Sequence, residues 1–174
     1  DYFIDRLEAF HGTAGRRGEI KVEFLPTILR GSRFPSTMGR GFVAPRASTS
    51  EDPLLVVVLI SGSGSGLASL LEHQQGVGCT HKTVMVISDK PEAGGLVHAK
   101  RHGVPNMSIP LSEELSGLER RMEQESRVLD SIAKSGAELV VLSGYMRILT
   151  SDFVSRWKGR LVNIHPSLLP LFPG

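Results

Sequence analysis

A chain of 174 residues has room for one folded domain, and its composition, 40% hydrophobic and 22% charged, is that of an ordinary globular protein. A formal net charge of +2 is too small to indicate binding to a nucleic acid, and the single cysteine, Cys79, excludes an intrachain disulfide and suits a reducing compartment. The longest apolar run, residues 54–60, is far too short to cross a bilayer, so we predict no membrane segment and no membrane partner.

The N-terminal part of the chain differs in composition from the rest. Residues 24–50 are rich in hydroxyl side chains, Pro and Gly, contain no Asp or Glu, and include Arg30, Arg33, Arg40 and Arg46. This composition is typical of a transit peptide, and a disordered linker or a mistranslated upstream region are the alternatives. We predict an N-terminal extension at 1–52, a folded domain at 53–174, and a protein of the cytoplasm or of an organelle such as a plastid or mitochondrion. Because the chain starts at Asp1, without a methionine, we expect a fragment at this end.

From residue 54 onward the pattern predicts strands that alternate with helices. The apolar, β-branched run 54–60 indicates a central parallel strand covered on both faces. A Gly-Ser turn at 61–66 leads into a short amphipathic helix at 67–73. A buried strand at 83–87 precedes a helix over 92–102, which is expected to end at Gly103. A short third strand is predicted at 106–109.

A long helix is the next predicted element. We expect it to begin at Ser112, with Glu113 and Glu114 in its first turn, and to end at Gly136. The apolar residues expected on its buried face are Leu115, Leu118, Met122, Leu129, Ile132 and Ala133. The charged run 119–127 is expected on its solvent face.

The remaining elements complete an α/β pattern. A buried strand is predicted at 139–142, a short helix at 151–157 with Trp157 packed on the sheet, and a last strand at 161–164. Alternating strands and helices predict an open, doubly wound domain with a mostly parallel sheet. Ligands of such a sheet bind at the carboxyl ends of its strands.

The loop after the first strand has the sequence SGSGSGL at 61–67. Its glycines allow the backbone N–H groups to point inward at a helix N-terminus, which favours an anion such as phosphate. The loop is not a dinucleotide fingerprint, because Leu67 stands where the last glycine would be needed, and it lacks the Gly-Lys-Ser/Thr ending of a P-loop. A purely structural tight turn is the alternative.

Two further strands end in polar loops, GYMRIL at 144–149 and NIHPSLLP at 163–170. Asn163 and His165 are two residues apart on a strand, so their side chains leave the same face near its carboxyl end. An amide donor beside an imidazole suits the stabilisation of an oxyanion and the transfer of a proton. A hydrogen-bonded structural histidine is the alternative.

These three segments, LISGSGSGL, SGYMRIL and NIHPSLLPLFPG, resemble in order and spacing the phosphoribosylglycinamide formyltransferases, which are folate formyltransferases. The Asn-Ile-His-Pro-Ser-Leu-Leu-Pro stretch is specific for the wider family, and the other two segments narrow it to the ribonucleotide enzyme. The resemblance covers 54–174, the front part of the family's catalytic domain, and none of residues 1–50.

The resemblance implies a reaction and roles for residues. The formyl group of 10-formyltetrahydrofolate, a co-substrate, would pass directly to the amine of glycinamide ribonucleotide in purine biosynthesis, with no metal and no covalent enzyme intermediate. Asn163 would donate to the tetrahedral oxyanion, and His165 would stabilise it as imidazolium and help to move the proton. Backbone N–H groups of Gly64, Ser65 and Gly66 would hold the phosphate, although family members usually have Asn where this chain has Gly66.

Other residues match the family by position. The folate pocket would be lined by Met146, Arg147, Ile148 and Leu149, with main-chain groups of that loop bonding the pterin. Arg121 matches an arginine near folate and ribonucleotide, and Pro166 matches a residue that shapes the substrate channel. In the family an aspartate beyond the position of Gly174 holds His165, so we expect this chain alone, cut off at the C-terminus, to be nearly inactive.

Other functions stay open at this point. Methionyl-tRNA formyltransferase and formyltetrahydrofolate deformylase share an Asn-x-His and a similar Ser-x-Leu-Pro segment, but neither needs a phosphate loop after the first strand. A nucleotide-binding module without catalysis would use the glycine loop and place Asp89 on a ribose. A degenerate, non-catalytic fragment is a further alternative. The sequence does not decide the oligomeric state, or between a stand-alone enzyme and a domain of a multifunctional one.

No metal site is predicted from the spacing of the candidate ligands. Cys79 is interpreted as a bystander. Of His73, His81, His98 and His102, only the last two have helical i, i+4 spacing, and a chance pair on a solvated helix is the preferred interpretation.

Overall fold

The computed structural model describes residues 42–164, which form a five-stranded sheet flanked by helices on both faces. All strand pairs are parallel, and the strand order is β3-β2-β1-β4-β5. In chain order the elements are β1 Leu54–Ile60, α1 Ser65–His73, β2 His81–Ser88, α2 Gly94–Arg101, β3 Asn106–Ser108, α3 Gly117–Ser135, β4 Leu139–Ser143, α4 Ser151–Arg156 and β5 Leu161–Ile164.

The apolar run that predicted the first strand forms the middle of the sheet. The side chains of β1 alternate between two cores: Val58 and Ile60 pack with α1 and α2, and Val57 and Leu59 pack with α3 and α4. Because both faces are covered, residues 57–60 are fully buried, as a continuous apolar strand requires. The predicted doubly wound α/β class is confirmed.

Most predicted elements occur within two residues of their expected bounds. β1 and β5 have the predicted limits, whereas α1 begins two residues early and β2 starts at His81. Trp157 caps the C-terminus of α4 and is 8% exposed within the core, as predicted. No helix among residues 42–164 is long and apolar enough to cross a membrane.

The predicted start of the long helix was wrong. α3 begins at Gly117, with Ser116 as its N-cap residue. The Ser112 hydroxyl instead accepts a hydrogen bond from the N–H of Glu114 at 3.2 Å. Serine followed by acidic residues suits such a local turn as well as a helix start, which is why the pattern placed the boundary too early.

The predicted buried face of this helix was also partly wrong. Leu118 and Met122 are 59% and 54% exposed, and Ala133 is also exposed. The buried face of α3 is instead formed by Gln124, Glu125, Val128 and Ile132. Two of these residues are polar, so hydrophobicity alone placed part of the buried face on the wrong side of the helix. The charged run 119–127 therefore does not lie entirely on the solvent face.

Residues just before β1 contact the domain through an ion-pair cluster. Arg46 donates to Glu138 at 2.5 Å and to Asp52 at 2.8 Å, and Glu138 also accepts from the N–H of Leu55 at 3.0 Å. The N–H of Val43 donates to the Lys158 carbonyl at 3.1 Å. The predicted extension therefore reaches the domain surface over its residues 42–52, and the boundary after residue 52 stays a prediction.

Candidate active site

The strand order places a topological switch point between β1 and β4. After β1 the chain moves to β2 and β3 on one side, and it returns to β4 and β5 on the other side. The loops that leave β1 and β4 therefore diverge at the carboxyl edge of the sheet. A crevice opens at such a point in doubly wound sheets, and this is where their ligands bind.

The first wall of this crevice is the glycine-serine loop. Gly64 is the N-cap residue of α1 with φ 75°, and no side chain caps the helix. The first helical hydrogen bond runs from the N–H of Ala68 to the Gly64 carbonyl at 2.8 Å. The N–H groups of Ser65, Gly66 and Leu67 precede that bond and have no partner within the helix. With no acidic residue in the first turn of α1, this end of the helix attracts anions.

A close approach to the start of α2 supports the loop. A Cβ on Gly64 would lie 2.4 Å from the Cα of Gly95, and the N–H of Gly95 donates to the Gly62 carbonyl at 3.1 Å. Gly66 meets the end of β4, because a Cβ at this position would lie 2.8 Å from the Ser143 hydroxyl. The glycines therefore allow three segments to converge around one helix N-terminus.

The second wall is the loop after β4. The hydroxyl of Ser61, which is 4% exposed, accepts a hydrogen bond from the N–H of Met146 at 2.8 Å. The side chains of Met146 and Ile148 are 77% and 76% exposed, whereas Leu149 and Tyr145 pack against the core. Burial, together with the nearby carboxylates, raises the pKa of Tyr145. One hydrogen bond thus joins the glycine-serine loop before α1 to a loop with exposed apolar side chains.

A buried carboxylate anchors the same loop from β2. Arg147 donates from Nε to Oδ2 of Asp89 at 2.7 Å. The Asp89 side chain is 1% exposed and that of Arg147 is 40% exposed, so only one partner of this ion pair is buried. The other oxygen of Asp89, Oδ1, is buried and has no hydrogen-bond partner among the described residues. The carboxylate that the nucleotide-binding alternative placed on a ribose is therefore engaged by Arg147.

The far end of the loop is fixed by α3. Both the N–H and the hydroxyl of Thr150 donate to Glu125, the former at 2.7 Å. The Thr150 hydroxyl also accepts from the N–H of Phe153 and so caps α4. Glu125 is 5% exposed, and Arg121 lies one turn earlier on the same side of α3, where it is half-buried. Arg121 thus lies near the end of α3 that faces the carboxyl edge.

Asn163 lies on β5, opposite Leu142 of β4. The neighbouring Val162 and Ile164 pack in the core of α1 and α2, and Leu161 packs in the other core with Tyr145 and Leu149. Because side chains alternate along a strand, Asn163 faces the side of Leu161. The other two predicted residues of this segment, His165 and Pro166, lie outside the described residues, so the expected catalytic pair stays a prediction.

Several of these contacts were not predicted from the sequence. Ser61 was only part of a glycine loop, Glu125 was assigned to a solvent face, and the partner of Asp89 was unknown. The one available signal was position, since Ser61 and Asp89 each follow a strand directly. The pairing itself depends on which strands become neighbours.

A cluster of two histidines and a cysteine was also not predicted from the sequence. Ligand atoms of His73, Cys79 and His81 all lie within 4.8 Å of one another. The two histidine rings stack with their centroids 5.7 Å apart. Burial, and the charge of His73, lower the pKa of His81, which keeps its imidazole neutral near pH 7. Sequence spacing did not reveal the group because only one residue separates Cys79 from His81, which is fewer than in common zinc motifs, and because Cys79 was interpreted as a bystander.

Comparison with known proteins agrees with the fold and with the resemblance. Residues 54–174 match the family model described as formyl transferase. A phosphoribosylglycinamide formyltransferase from Haemophilus influenzae is 37% identical over 119 residues, which are 68% of this chain and 54% of that protein. The trifunctional purine biosynthetic protein adenosine-3 of Drosophila melanogaster is 40% identical over 121 residues, 68% of this chain and 9% of that protein.

A solved structure gives the same result in three dimensions. The phosphoribosylglycinamide formyltransferase from Brucella melitensis superposes with a TM-score of 0.64 at 38% identity, over 70% of this chain and 62% of that one. The chain thus spans about half the length of the Haemophilus relative and a small part of the Drosophila protein.

Proposed function

Since this chain belongs to the formyl transferase family, we propose that the protein transfers the formyl group of 10-formyltetrahydrofolate to the amine of glycinamide ribonucleotide, a step of purine biosynthesis. The acceptor is suggested by the relatives named as phosphoribosylglycinamide formyltransferase. The substrates are both small molecules.

The observation that carries this proposal is the junction of two loops at the switch point. The hydrogen bond from the Met146 N–H to the Ser61 hydroxyl, 2.8 Å long, holds the glycine-serine loop before α1 beside a loop with exposed apolar side chains. The acceptor has a phosphate at one end, and the donor has a pterin, a ring with apolar faces and a polar edge. A site that brings these two surfaces together suits a transfer between such substrates.

The phosphate of the acceptor would lie at the start of α1. The N–H groups of Gly64, Ser65 and Gly66 would hold it, aided by the positive end of the helix. This contact needs little from side chains. The chain can therefore have Gly66 where family members usually have Asn.

The folate would bind along the loop after β4. Met146 and Ile148 would contribute apolar surface, and main-chain groups of residues 146–149, including Arg147 and Leu149, would bond the pterin. Asp89 holds this loop through Arg147, and Glu125 holds its far end through Thr150. Such anchoring matters because a flexible loop would lose entropy on binding. Arg121 and Pro166 would shape the channel between the two ligands.

The chemistry would use the residues at the end of β5. The acceptor amine attacks the formyl carbon, and the carbonyl oxygen becomes an oxyanion, to which Asn163 would donate. His165, as imidazolium, would stabilise the same charge and help to carry the amine proton to N10 of the folate as the bond between the formyl carbon and N10 breaks. The products are the formylated ribonucleotide and tetrahydrofolate. The amine is itself the nucleophile, so the proposed reaction needs neither a metal nor a covalent enzyme intermediate.

The test is a formyl-transfer assay with the full-length protein, in which the formylated ribonucleotide is measured by mass spectrometry. We expect transfer by the wild type and by His98→Ala, a matched control in α2 that is not among the proposed site residues, and loss of turnover in His165→Ala. An acceptor without its phosphate should show a much higher KM. If the protein does not formylate the ribonucleotide but releases formate or formylates methionyl-tRNA, the proposed acceptor is wrong.

A further inference from the structure

The cluster of His73, Cys79 and His81 lies far from the candidate active site. His73 is the last residue of α1, Cys79 lies in the loop that follows, and His81 is the first residue of β2. The candidate site is at the other end of β2, beyond Ser88. At a rise of about 3.3 Å per residue, the two ends of this strand are about 23 Å apart. A role for this cluster would therefore be separate from the proposed transfer reaction.

The distances within the cluster suit a shared metal ion. Sγ of Cys79 lies 3.5 Å from Nδ1 and 3.9 Å from Nε2 of His81. A tetrahedral zinc ion, with bonds of about 2.3 Å to sulfur and about 2.05 Å to nitrogen, sets the sulfur–nitrogen separation at about 3.6 Å. The Cys79–His81 pair already has this separation. The exposed His73, within 4.8 Å of both, needs to approach by about 1 Å to complete the set.

The backbone between α1 and β2 holds these ligands in place. The N–H of Gly76 donates to the His73 carbonyl at 3.0 Å, and Gly78 turns the chain with φ 81°. The Thr80 carbonyl accepts from the N–H of Leu54 in β1 at 2.8 Å. The loop is therefore tied at both ends before any ion binds, which lowers the entropic cost of binding one.

Charge and space also favour a cation here. The carbonyl end of α1, at His73, carries the negative end of the helix dipole. A hollow of about 300 Å³ is lined in part by Cys79 and His81 and leaves room for a water molecule as fourth ligand. Lys82 lines the same hollow, but its side chain is exposed, so solvent and salt screen its repulsion.

We propose that His73, Cys79 and His81 bind one zinc-class divalent cation, with a water molecule in the fourth position. Two imidazoles and a thiolate favour Zn²⁺, whereas Mg²⁺ and Ca²⁺ favour oxygen ligands. Binding deprotonates the Cys79 thiol, so that one Zn–S bond replaces the S–H bond and one proton is released. The ion joins the end of α1 to the start of β2, and its role is to stabilise this edge of the domain.

The test uses Co²⁺ as a spectroscopic probe and Zn²⁺ as the competing ion, added to the full chain after treatment with a chelator. Tetrahedral Co²⁺ bound by a thiolate gives a charge-transfer band in the near ultraviolet that carboxylate or imidazole sites lack. The variants are Cys79→Ser and His73→Gln, both at positions that are not fully buried, and the matched control is His98→Gln in α2. Circular dichroism of the metal-free proteins verifies that each variant is folded.

We expect one Co²⁺ per chain with a thiolate band in the wild type and in His98→Gln, displaced by Zn²⁺. Cys79→Ser should lose the band, and His73→Gln should keep it while its affinity falls by about 100-fold or more, since even outer-shell partners of a metal are worth about 10–100-fold. Zn²⁺ should raise the unfolding temperature of the wild type and not that of Cys79→Ser. Absence of the band in the wild type, or equal Zn²⁺ affinity in Cys79→Ser and His98→Gln, would overturn the proposal.

Discussion

The ion pair between Arg147 and Asp89 leads to a prediction about which partner is costly to remove. The Asp89 side chain is 1% exposed, whereas that of Arg147 is 40% exposed. Arg147→Met would leave a carboxylate buried without its cation. Asp89→Asn would leave a guanidinium that solvent can reach. Loss of the exposed partner should therefore destabilise the protein more than loss of the buried one.

The exposure of Arg147 limits the size of the effect. Removing one partner of a fully buried pair costs about 3–5 kcal/mol, and the exposure of Arg147 reduces this. We expect Arg147→Met to lower the free energy of unfolding by about 2–4 kcal/mol. Asp89→Asn should cost about 1 kcal/mol.

Urea denaturation, followed by circular dichroism, measures these differences. The double variant Asp89→Asn/Arg147→Met should be more stable than Arg147→Met alone, because it removes the stranded charge. Arg156→Met is the matched control: its pair with Asp152 is exposed on both sides, and its loss should cost less than about 0.5 kcal/mol. A double variant no more stable than Arg147→Met, or a larger cost for Asp89→Asn, would refute the argument from burial.

Three further predictions concern the segments around the crevice. Thr150→Ala removes the cap of α4 and a donor to the buried Glu125, so it should lower the free energy of unfolding by about 2 kcal/mol in urea denaturation, and a change below about 0.5 kcal/mol would contradict this. In a Ser143→Ala background, where the added Cβ has room, Gly66→Ala should raise the free energy of unfolding by up to about 1 kcal/mol through helix propensity, and by less in the wild type. Equal gains in both backgrounds would show that the 2.8 Å contact with the Ser143 hydroxyl is harmless. Hydrogen bonds from the Arg46 guanidinium and from the N–H of Leu55 lower the pKa of Glu138 below 4.5. The contribution of Glu138 to the free energy of unfolding is therefore complete above that pH and is lost as the pH falls further. Glu138→Gln should flatten the acid side of the curve of stability against pH, and an unchanged curve would exclude this role.

The elements were predicted best where hydrophobicity and secondary structure agree. The run at 54–60 is apolar throughout because β1 is covered on both faces, and its predicted bounds are those observed. The main errors of prediction were the start and the buried face of α3. Gln124 and Glu125 occupy its buried face because the Ile109 carbonyl and Thr150 meet their polar groups there, and such partners come from elsewhere in the chain.

The candidate site divides in the same way. The glycine loop at the start of α1 could be predicted from the sequence, since it lies between a strand and a helix within a few residues; its binding of an anion stays a prediction. The link between that loop and Met146 could not, because Ser61 and Met146 are 85 residues apart in the chain. The roles of Asn163 and His165 stay a prediction.

Short stretches of chain encode the α/β class, the family segments and the loops that follow the strands, so these could be predicted from the residues. Which of the loops meet depends on the folded sheet. The strand order brings the end of β1 beside β4, which allows Ser61 to bind the loop at residue 146, and it brings Asp89 within reach of Arg147. Contacts of this kind depend on the packing of distant segments against a common sheet, and no local pattern of residues specifies them.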